Sequence, residues 1–335
     1  MNGHPSRHVI LGGSGFIGRH VALVLARAGH AVTIASRHPL GFRFPAADSR
    51  RIQWQRLDWS PIALDRLFDG ADCVHHYAWG TVPATALADP VADRRLNLIL
   101  SQSVIDALCR RRAGRLLFAS SGGTVYGPNP AVPTTEATPL APATPYAITK
   151  AMAESLMLRH RDTIDCLIAR ISNPYGAGQD PARCQGAVTT FIDTSLAGRP
   201  ITLWGDGAIV RDYIHVTDVA RCLAALACAS VGEHAVFNIG TGIGTSLNQL
   251  IGLLERLLDR PIPVRRLPAR PFDVPINILS PDRAARSLGW SASLSLEQGI
   301  RRTLDDLRHA RRISTLDACG DTAVRPGHGC GGGRH

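Results

Sequence analysis

HVILGGSGFIG, residues 8–18, decides the fold. It opens on a short apolar run, His8 to Leu11, that breaks into glycines; an apolar-periodic stretch then continues to about Ala28. Gly29 and His30 end that stretch, and a second apolar run follows from Ala31 to Ser36. The order is therefore strand, Gly-x-x-Gly-x-x-Gly, helix, strand. Glycines at 12, 15 and 18 allow a tight turn and a close backbone approach, and the amides of a helix N-terminus suit a pyrophosphate. A glycine motif alone says little, and a glycine turn without a ligand is the competing reading. The strand before it and the helix after it supply the required context. Gly12, Gly15, Phe16, Ile17 and Gly18 become candidate dinucleotide contacts.

Further along, a buried segment runs from Ala71 to Ala78, a helix from Asn97 to Arg111, a strand from Arg115 to Ser120, and a long helix carries Lys150. Strands alternating with helices predict an α/β fold, a Rossmann-type doubly wound parallel sheet with ligands at the strand C-terminal ends. From Asn173 the elements shorten and become rich in Gly and Pro, which marks a smaller C-terminal substrate lobe. The expected division is a dinucleotide-binding domain over 1–172 with return segments around 212–244, a substrate lobe over 173–211 and 245–312, and a disordered tail over 313–335.

Lys150 is the sole lysine of the chain, and it follows Tyr146 by one helical turn. The other 36 of the 37 basic side chains are arginines, so lysine persists where a compact, tunable ammonium is needed and a planar, permanently charged guanidinium would not serve. The spacing i, i+4 puts both groups on one helix face. A nearby positive charge brings tyrosine, which ordinarily titrates near about 10, into range as a general base. A chance Tyr-x-x-x-Lys is the alternative.

Composition sets limits. With 335 residues, 45% of them hydrophobic, the chain has ample core. No apolar window reaches membrane-spanning length and no cleavable signal pattern precedes the glycine turn, which predicts a cytoplasmic protein with no membrane partner. The eight cysteines form no Cys-x-x-Cys pair, so reduced thiols and no zinc site are expected. The formal charge of +10 is spread along the chain without a basic tract, which argues against nucleic acid. A few of these arginines have the forked geometry to grip a diphosphate.

The ordered set GGSGFIG (12–18), SSGGTVYG (120–127), YAITK (146–150), RISNPYG (170–176), RDYIHVTD (211–218), FNIGTG (237–242) and SLGW near residue 290 resembles the extended short-chain dehydrogenase/reductases, over about residues 8–305. It is most similar to the UDP-glucose 4-epimerase branch of the sugar-nucleotide epimerase/dehydratase family. The resemblance implies that Tyr146 takes the proton of the sugar 4-hydroxyl while hydride passes to NAD, that Lys150 contacts the nicotinamide ribose and lowers the tyrosine pKa, and that the 4-keto sugar turns over before hydride returns. Asn173 resembles a substrate-contacting asparagine, Arg211 and Arg270 the two arginines on the diphosphate, and Trp204 the aromatic stacked on uracil. Asn97 and Asp58 match positions near the nicotinamide pocket and the adenine, and Ala78 belongs with the cofactor contacts. For Asn173, Trp204 and Asn97, ordinary packing or turn chemistry is the competing reading. The resemblance also implies a homodimer paired through the helices around 97–111 and 150–160.

The chain departs from the family pattern in several places. The serine or threonine usual four residues before the tyrosine of VYG is replaced by Gly122, which leaves Ser121 or Thr124 to meet the sugar oxygen. The Asp-Glu pair of the 4,6-dehydratases is replaced by Gly123-Thr124, which disfavours dehydration. An asparagine expected near residue 187 is replaced by Ala187-Val188. At the end of the second strand, where NAD enzymes carry an acid, stand Ser36 and Arg37, a pair that would welcome the 2′-phosphate of NADP. NAD is the reading from resemblance and NADP the reading from local chemistry. Asn277, seven residues beyond Arg270, aligns with the position where glucose-restricted epimerases carry a tyrosine; its smaller side chain leaves room for an N-acetyl group, unless it is a turn residue far from the sugar. The main expectation is a nucleotide-sugar 4-epimerase for UDP-glucose and UDP-galactose, with UDP-N-acetylhexosamines admitted. The alternatives are an NADP-dependent 4-keto nucleotide-sugar reductase and a non-catalytic dinucleotide-binding sensor or scaffold.

Overall fold

The computed structural model describes residues 5–111, 114–128, 130–180, 186–270 and 274–320. The chain runs β1 (Arg7–Leu11), α1 (Phe16–Arg27), β2 (Ala31–Ser36), α2 (Ala46–Ser49), β3 (Ile52–Arg56), α3 (Pro61–Leu67), β4 (Cys73–His76), α4 (Pro83–Ala88), α5 (Pro90–Arg111), β5 (Arg115–Ser121), α6 (Pro145–Leu158), β6 (Asp165–Ile171) and β7 (Asn173–Tyr175). It continues through α7 (Ala187–Leu196), β8 (Ile201–Trp204), β9 (Val210–His215), α8 (Val216–Cys228), β10 (Val236–Ile239), β11 (Gly244–Ser246), α9 (Leu247–Leu258), β12 (Val264–Leu267), β13 (Ile276–Asn277), α10 (Asp282–Leu288) and α11 (Leu296–Gly320).

Seven parallel strands form one sheet in the order β10-β6-β5-β4-β1-β2-β3. This is the doubly wound sheet expected from the alternation of strands and helices. Strands covered on both faces read as continuous apolar runs, and β1 shows how the two faces divide. Ile10 joins the core under α1 and α8, whereas Val9 and Leu11 join the core with α3, α5 and α6. The order changes direction at β1 and β4, so their C-terminal ends open the crevice where such sheets bind ligands.

The second lobe has its own apolar core, in which Phe191 and Ile192 of α7, Leu203 of β8 and Leu250 and Leu254 of α9 pack with Ile300 and Leu304 of α11. Its strands form a sheet of order β11-β9-β13, with β7 also on β9, and a β12-β8 pair. α8 and β10 return to the large sheet. α11 runs to Gly320, past residue 313 where an aperiodic tail was expected, because no glycine or proline interrupts residues 301–319. Residues 321–335 of that expected tail lie outside the described residues. Among the described residues no helix is long and apolar enough to cross a membrane.

Candidate active site

The turn after β1 is built by contact between backbones. Gly12 has φ +79°, which favours glycine, and a Cβ there would lie 2.7 Å from the Ala78 nitrogen. A Cβ on Gly18 would lie 2.6 Å from the Gly12 oxygen. α1 begins with Gly15 as N-cap and without a side-chain capping bond, so its first-turn amides remain for a ligand or water. Ile17 turns into the core and Phe16 meets His20 edge-on. The glycine cradle, the uncapped helix and the absence of acid from its first turn together fit a dinucleotide pyrophosphate. Arg19, which the motif reading does not single out, braces this turn: its guanidinium donates to the Ser14 carbonyl at 3.1 Å and the Gly15 carbonyl at 3.3 Å. Its position one residue past the last motif glycine was the available signal.

At the end of β2, Ser36 is buried and its hydroxyl is committed. It donates to the His38 carbonyl at 2.7 Å and accepts from the Trp54 indole at 2.9 Å. Exposed Arg37 therefore carries whatever preference exists for a 2′-phosphate. Asp58 accepts from the Ser60 amide at 2.8 Å just before α3. Asn97 is also fully engaged: its oxygen accepts from Gly80 N at 2.8 Å, and its NH₂ donates to Thr81 and to Asp93. Its side chain thus shapes the loop after Ala78, the packing alternative stated for it.

Thr144 caps α6 by accepting from Ala147 N, and Pro145 at the first helical position is preorganised for the turn. Tyr146 and Lys150 follow on successive turns. The Lys150 ammonium is buried; it donates to the Ala119 carbonyl at 2.8 Å and rests 3.6 Å from the Trp79 ring centroid and 4.6 Å from that of Phe118. Burial pushes its pKa down to about 7, against the pull of Glu154 and Asp93. The Tyr146 phenol is held above its ordinary range, first by desolvation and then by the Asp93 carboxylate. The expected lowering by Lys150 is not what this arrangement produces, because the ammonium is turned to Ala119 and Trp79 and stands 5.9 Å from the Tyr146 ring centroid. Asp93, wholly buried, accepts from Thr149 at 2.5 Å and from Thr81 and so ties α5 to α6.

Below the strand ends lies a buried polar network that the motif reading missed. Glu154, one turn beyond Lys150, takes the Ser120 hydroxyl and a two-pronged contact from Arg170, closest at 2.6 Å. Arg170 donates to Tyr126 Oη at 2.9 Å, and Tyr126 donates to Asn238 at 2.7 Å. The network pins the loop from Ser121 to Tyr126 to the sheet. Its sequence signal was the extension of the Tyr146-Lys150 spacing by four more residues. Within the loop Thr124 turns its hydroxyl to the Ser121 carbonyl at 3.4 Å, and Ser121 is half-buried at the end of β5.

The glycine at 122 has a structural cause. A Cβ there would meet Leu279 Cδ1 at 2.4 Å and the Arg170 carbonyl oxygen at 3.0 Å, so Leu279 fills the room that a serine would need. Asn277 lies alongside: it is buried, its NH₂ donates to the Gly122 carbonyl at 3.1 Å, and its oxygen has no hydrogen-bond partner. It is not a turn residue, for β13 pairs with β9 and sets Asn277 opposite Arg211. A Cβ on Gly123 would lie 3.8 Å from the Asn173 amide oxygen and 3.9 Å from that of Asn277, so both asparagines converge beside the loop. Asn173 also donates to the Asp212 carbonyl at 3.1 Å. Arg211 donates to the Val274 carbonyl at 2.5 Å. The Arg270 guanidinium stands 4.8 Å from the Trp204 ring centroid.

The family model described as NAD dependent epimerase/dehydratase family matches residues 8–240. The UDP-glucose 4-epimerase of Mycolicibacterium smegmatis is 30% identical over 311 residues, which cover 90% of this chain and 99% of that one. The fold matches the UDP-glucose 4-epimerase of Thermotoga maritima, solved with UDP-glucose, with a TM-score of 0.83, 31% identity and coverage of 91% and 99%. The Thermus thermophilus UDP-glucose 4-epimerase in complex with NAD matches with a TM-score of 0.81, 30% identity and the same coverage.

Proposed function

The chain belongs to the NAD dependent epimerase/dehydratase family and is an NAD-dependent sugar-nucleotide epimerase; we propose that its substrates are UDP-glucose and UDP-galactose, with UDP-N-acetylhexosamines also accepted. The observation that carries this reading is the pair Tyr146 and Lys150 on successive turns of α6, with Lys150 donating at 2.8 Å to the Ala119 carbonyl of β5, the strand that leads into the loop where Asn277 donates to the Gly122 carbonyl at 3.1 Å. NAD, when bound, supplies the acceptor and then the donor of the hydride exchanged with sugar C4. The glycine turn and the first turn of α1 would hold its pyrophosphate. Tyr146 serves as the acid/base: it takes the proton of the 4-hydroxyl and returns it after the sugar has turned. Its raised pKa means that the phenol is protonated at neutral pH until positive charge gathers around it. Lys150 can provide that charge by swinging from the Ala119 carbonyl toward the phenol and the cofactor ribose. Arg211 and Arg270 suit the diphosphate, Trp204 the base, and Asn173 the sugar. Gly123 and Thr124 offer no carboxylate pair for removing water.

Exposed Arg37 favours a second reading, an NADP-dependent 4-keto sugar reductase. Intact Tyr146 and Lys150 favour catalysis over a sensor or scaffold role. Val91, Leu96 and Ile99 of α5 and Ile148 and Met152 of α6 are exposed apolar side chains, which supports a homodimer paired through these helices.

The test is interconversion of UDP-glucose and UDP-galactose with NAD and without added reductant. Tyr146→Phe lowers turnover by about 10²-fold or more and retains dinucleotide binding; near wild-type turnover in that variant would sink the assignment. With UDP-N-acetylglucosamine as the competing substrate, Asn277→Tyr selectively loses the acetylated sugar. Activity on UDP-glucose alone, unimproved by Asn277→Ser, would remove the broader specificity.

A further inference from the structure

At the N-terminal end of the sheet, away from the strand ends that form the active site, lies a second polar cluster that the chemistry above does not use. His8 stands at the start of β1, His30 just before β2, Cys228 closes α8, and Ser6 precedes β1. Cys228 Sγ is 3.9 Å from His8 Nε2 and 3.7 Å from His30 Nε2. One donor atom from each of the three residues lies within 4.8 Å of the others. A tetrahedral zinc ion with bonds of about 2.0–2.1 Å to nitrogen and about 2.3 Å to sulfur holds those donors about 3.6 Å apart. From this geometry we propose that His8, His30 and Cys228 bind a thiophilic divalent transition metal, with Zn²⁺ as the type ion.

The surroundings match the chemistry of such a site. Ligating histidines fix their lone pair by donating the other ring N–H to a second group. Here His8 Nδ1 is 3.1 Å from His75 Nε2, and His75 Nδ1 is 2.8 Å from Tyr77 Oη, a relay that turns His8 Nε2 to the cluster, where it lies 2.8 Å from the Ser6 hydroxyl that an ion would displace. His30 Nδ1 lies 2.8 Å from the Ser6 hydroxyl, which accepts its proton when Nε2 turns to the metal; the 3.2 Å contact from the Ser6 amide is the cost. The Cys228 thiol gives up its proton to the solvent as the metal–sulfur bond forms, and binding therefore strengthens as pH rises. Of the nearby cations, Arg115 is paired with Asp165 at 2.7 Å and Arg221 with Asp218 at 3.2 Å. A cavity of about 230 Å³ bordered by His30, Arg221 and Cys228 gives an ion access. Local cysteine spacing could not reveal the site, since 198 residues separate Cys228 from His30.

Co²⁺ titration of the full, reduced chain after chelation and desalting tests the proposal. One equivalent of Co²⁺ gives a thiolate charge-transfer band with tetrahedral d–d bands, and Zn²⁺ displaces it. Cys228→Ser abolishes the charge-transfer band with an unchanged circular dichroism spectrum, and His30→Gln weakens affinity by about tenfold or more. Cys330→Ser serves as the control for His328, Cys330 and His335 near the C-terminus. No charge-transfer band in excess Co²⁺, a band that survives Cys228→Ser, or a band lost only with Cys330→Ser would each overturn the proposal.

Discussion

Replacing Gly122 by serine puts a hydroxyl four residues before the tyrosine of VYG, and the packing around it sets the cost. The new Cβ would stand 2.4 Å from Leu279 Cδ1, where carbon atoms ordinarily settle at about 3.5–4.0 Å. Leu279 is wholly buried and has no open side to retreat into, so overpacking costs about 1–3 kcal/mol. Leu279→Ala alone costs about 2–5 kcal/mol through lost burial and a cavity. The two changes concern one volume, so the double variant is less destabilised than the sum of the singles, with a coupling of about 0.5–3 kcal/mol. Full recovery is not expected, because the Arg170 carbonyl oxygen remains 3.0 Å from the new Cβ and is backbone. Urea unfolding of the four proteins measures the cycle through shifts in midpoint at constant slope. The paired assay is turnover: if a hydroxyl at 122 reaches the sugar, the double variant turns over faster than Leu279→Ala. Additivity within about 0.3–0.5 kcal/mol would show that Leu279 does not occupy the serine's place.

Arg37→Ala weakens NADP by about 1–3 kcal/mol and leaves NAD nearly unchanged if the guanidinium receives a 2′-phosphate; equal effects in paired titrations remove the NADP argument. Burial pushes the Lys150 ammonium down to about 7 from its ordinary value of 10.5, so between these pH values the unfolded chain holds a proton that the folded chain has released. Stability therefore rises with pH across that window, by about 1.4 kcal/mol for each unit of pKa displacement, and Lys150→Met loses the rise. Parallel pH series of unfolding midpoints for the two proteins would refute the buried ammonium.

The parallel sheet was legible in the alternation that starts at residues 8–36, because buried strands must be apolar on both faces and the glycine turn has few structural uses. The placement of Tyr146 and Lys150 on successive turns of α6, and the tight glycine turn after β1, were legible because each rests on fixed local spacing. What escaped the sequence joins distant elements. Glu154 meets Ser120 on β5 and Arg170 on β6, and Leu279 reaches back 157 residues to Gly122. Spacing puts Glu154 on the helix face of Lys150 but carries no information about its distant partners. Asn97 shows the opposite limit: its resemblance to a cofactor contact is clear, but the oxygen and both amide protons are occupied by Gly80, Thr81 and Asp93.

The single lysine connects these levels. Its ammonium occupies a slot between the faces of Trp79 and Phe118 and one carbonyl at 2.8 Å, too narrow to satisfy the five donors of a guanidinium. Burial costs an ammonium its charge near neutral pH, and Glu154 and Asp93 oppose that loss. Arginine would keep its charge and leave several donors unpaired in the same slot. The carboxylates therefore have two duties: Glu154 anchors Arg170 and through it the loop that ends at Tyr126, and Asp93 ties α5 to α6, while both favour the charged lysine. A proton on Lys150 is thus coupled to the packing that orients Tyr146, which accounts for lysine at this one position in a chain that otherwise uses arginine.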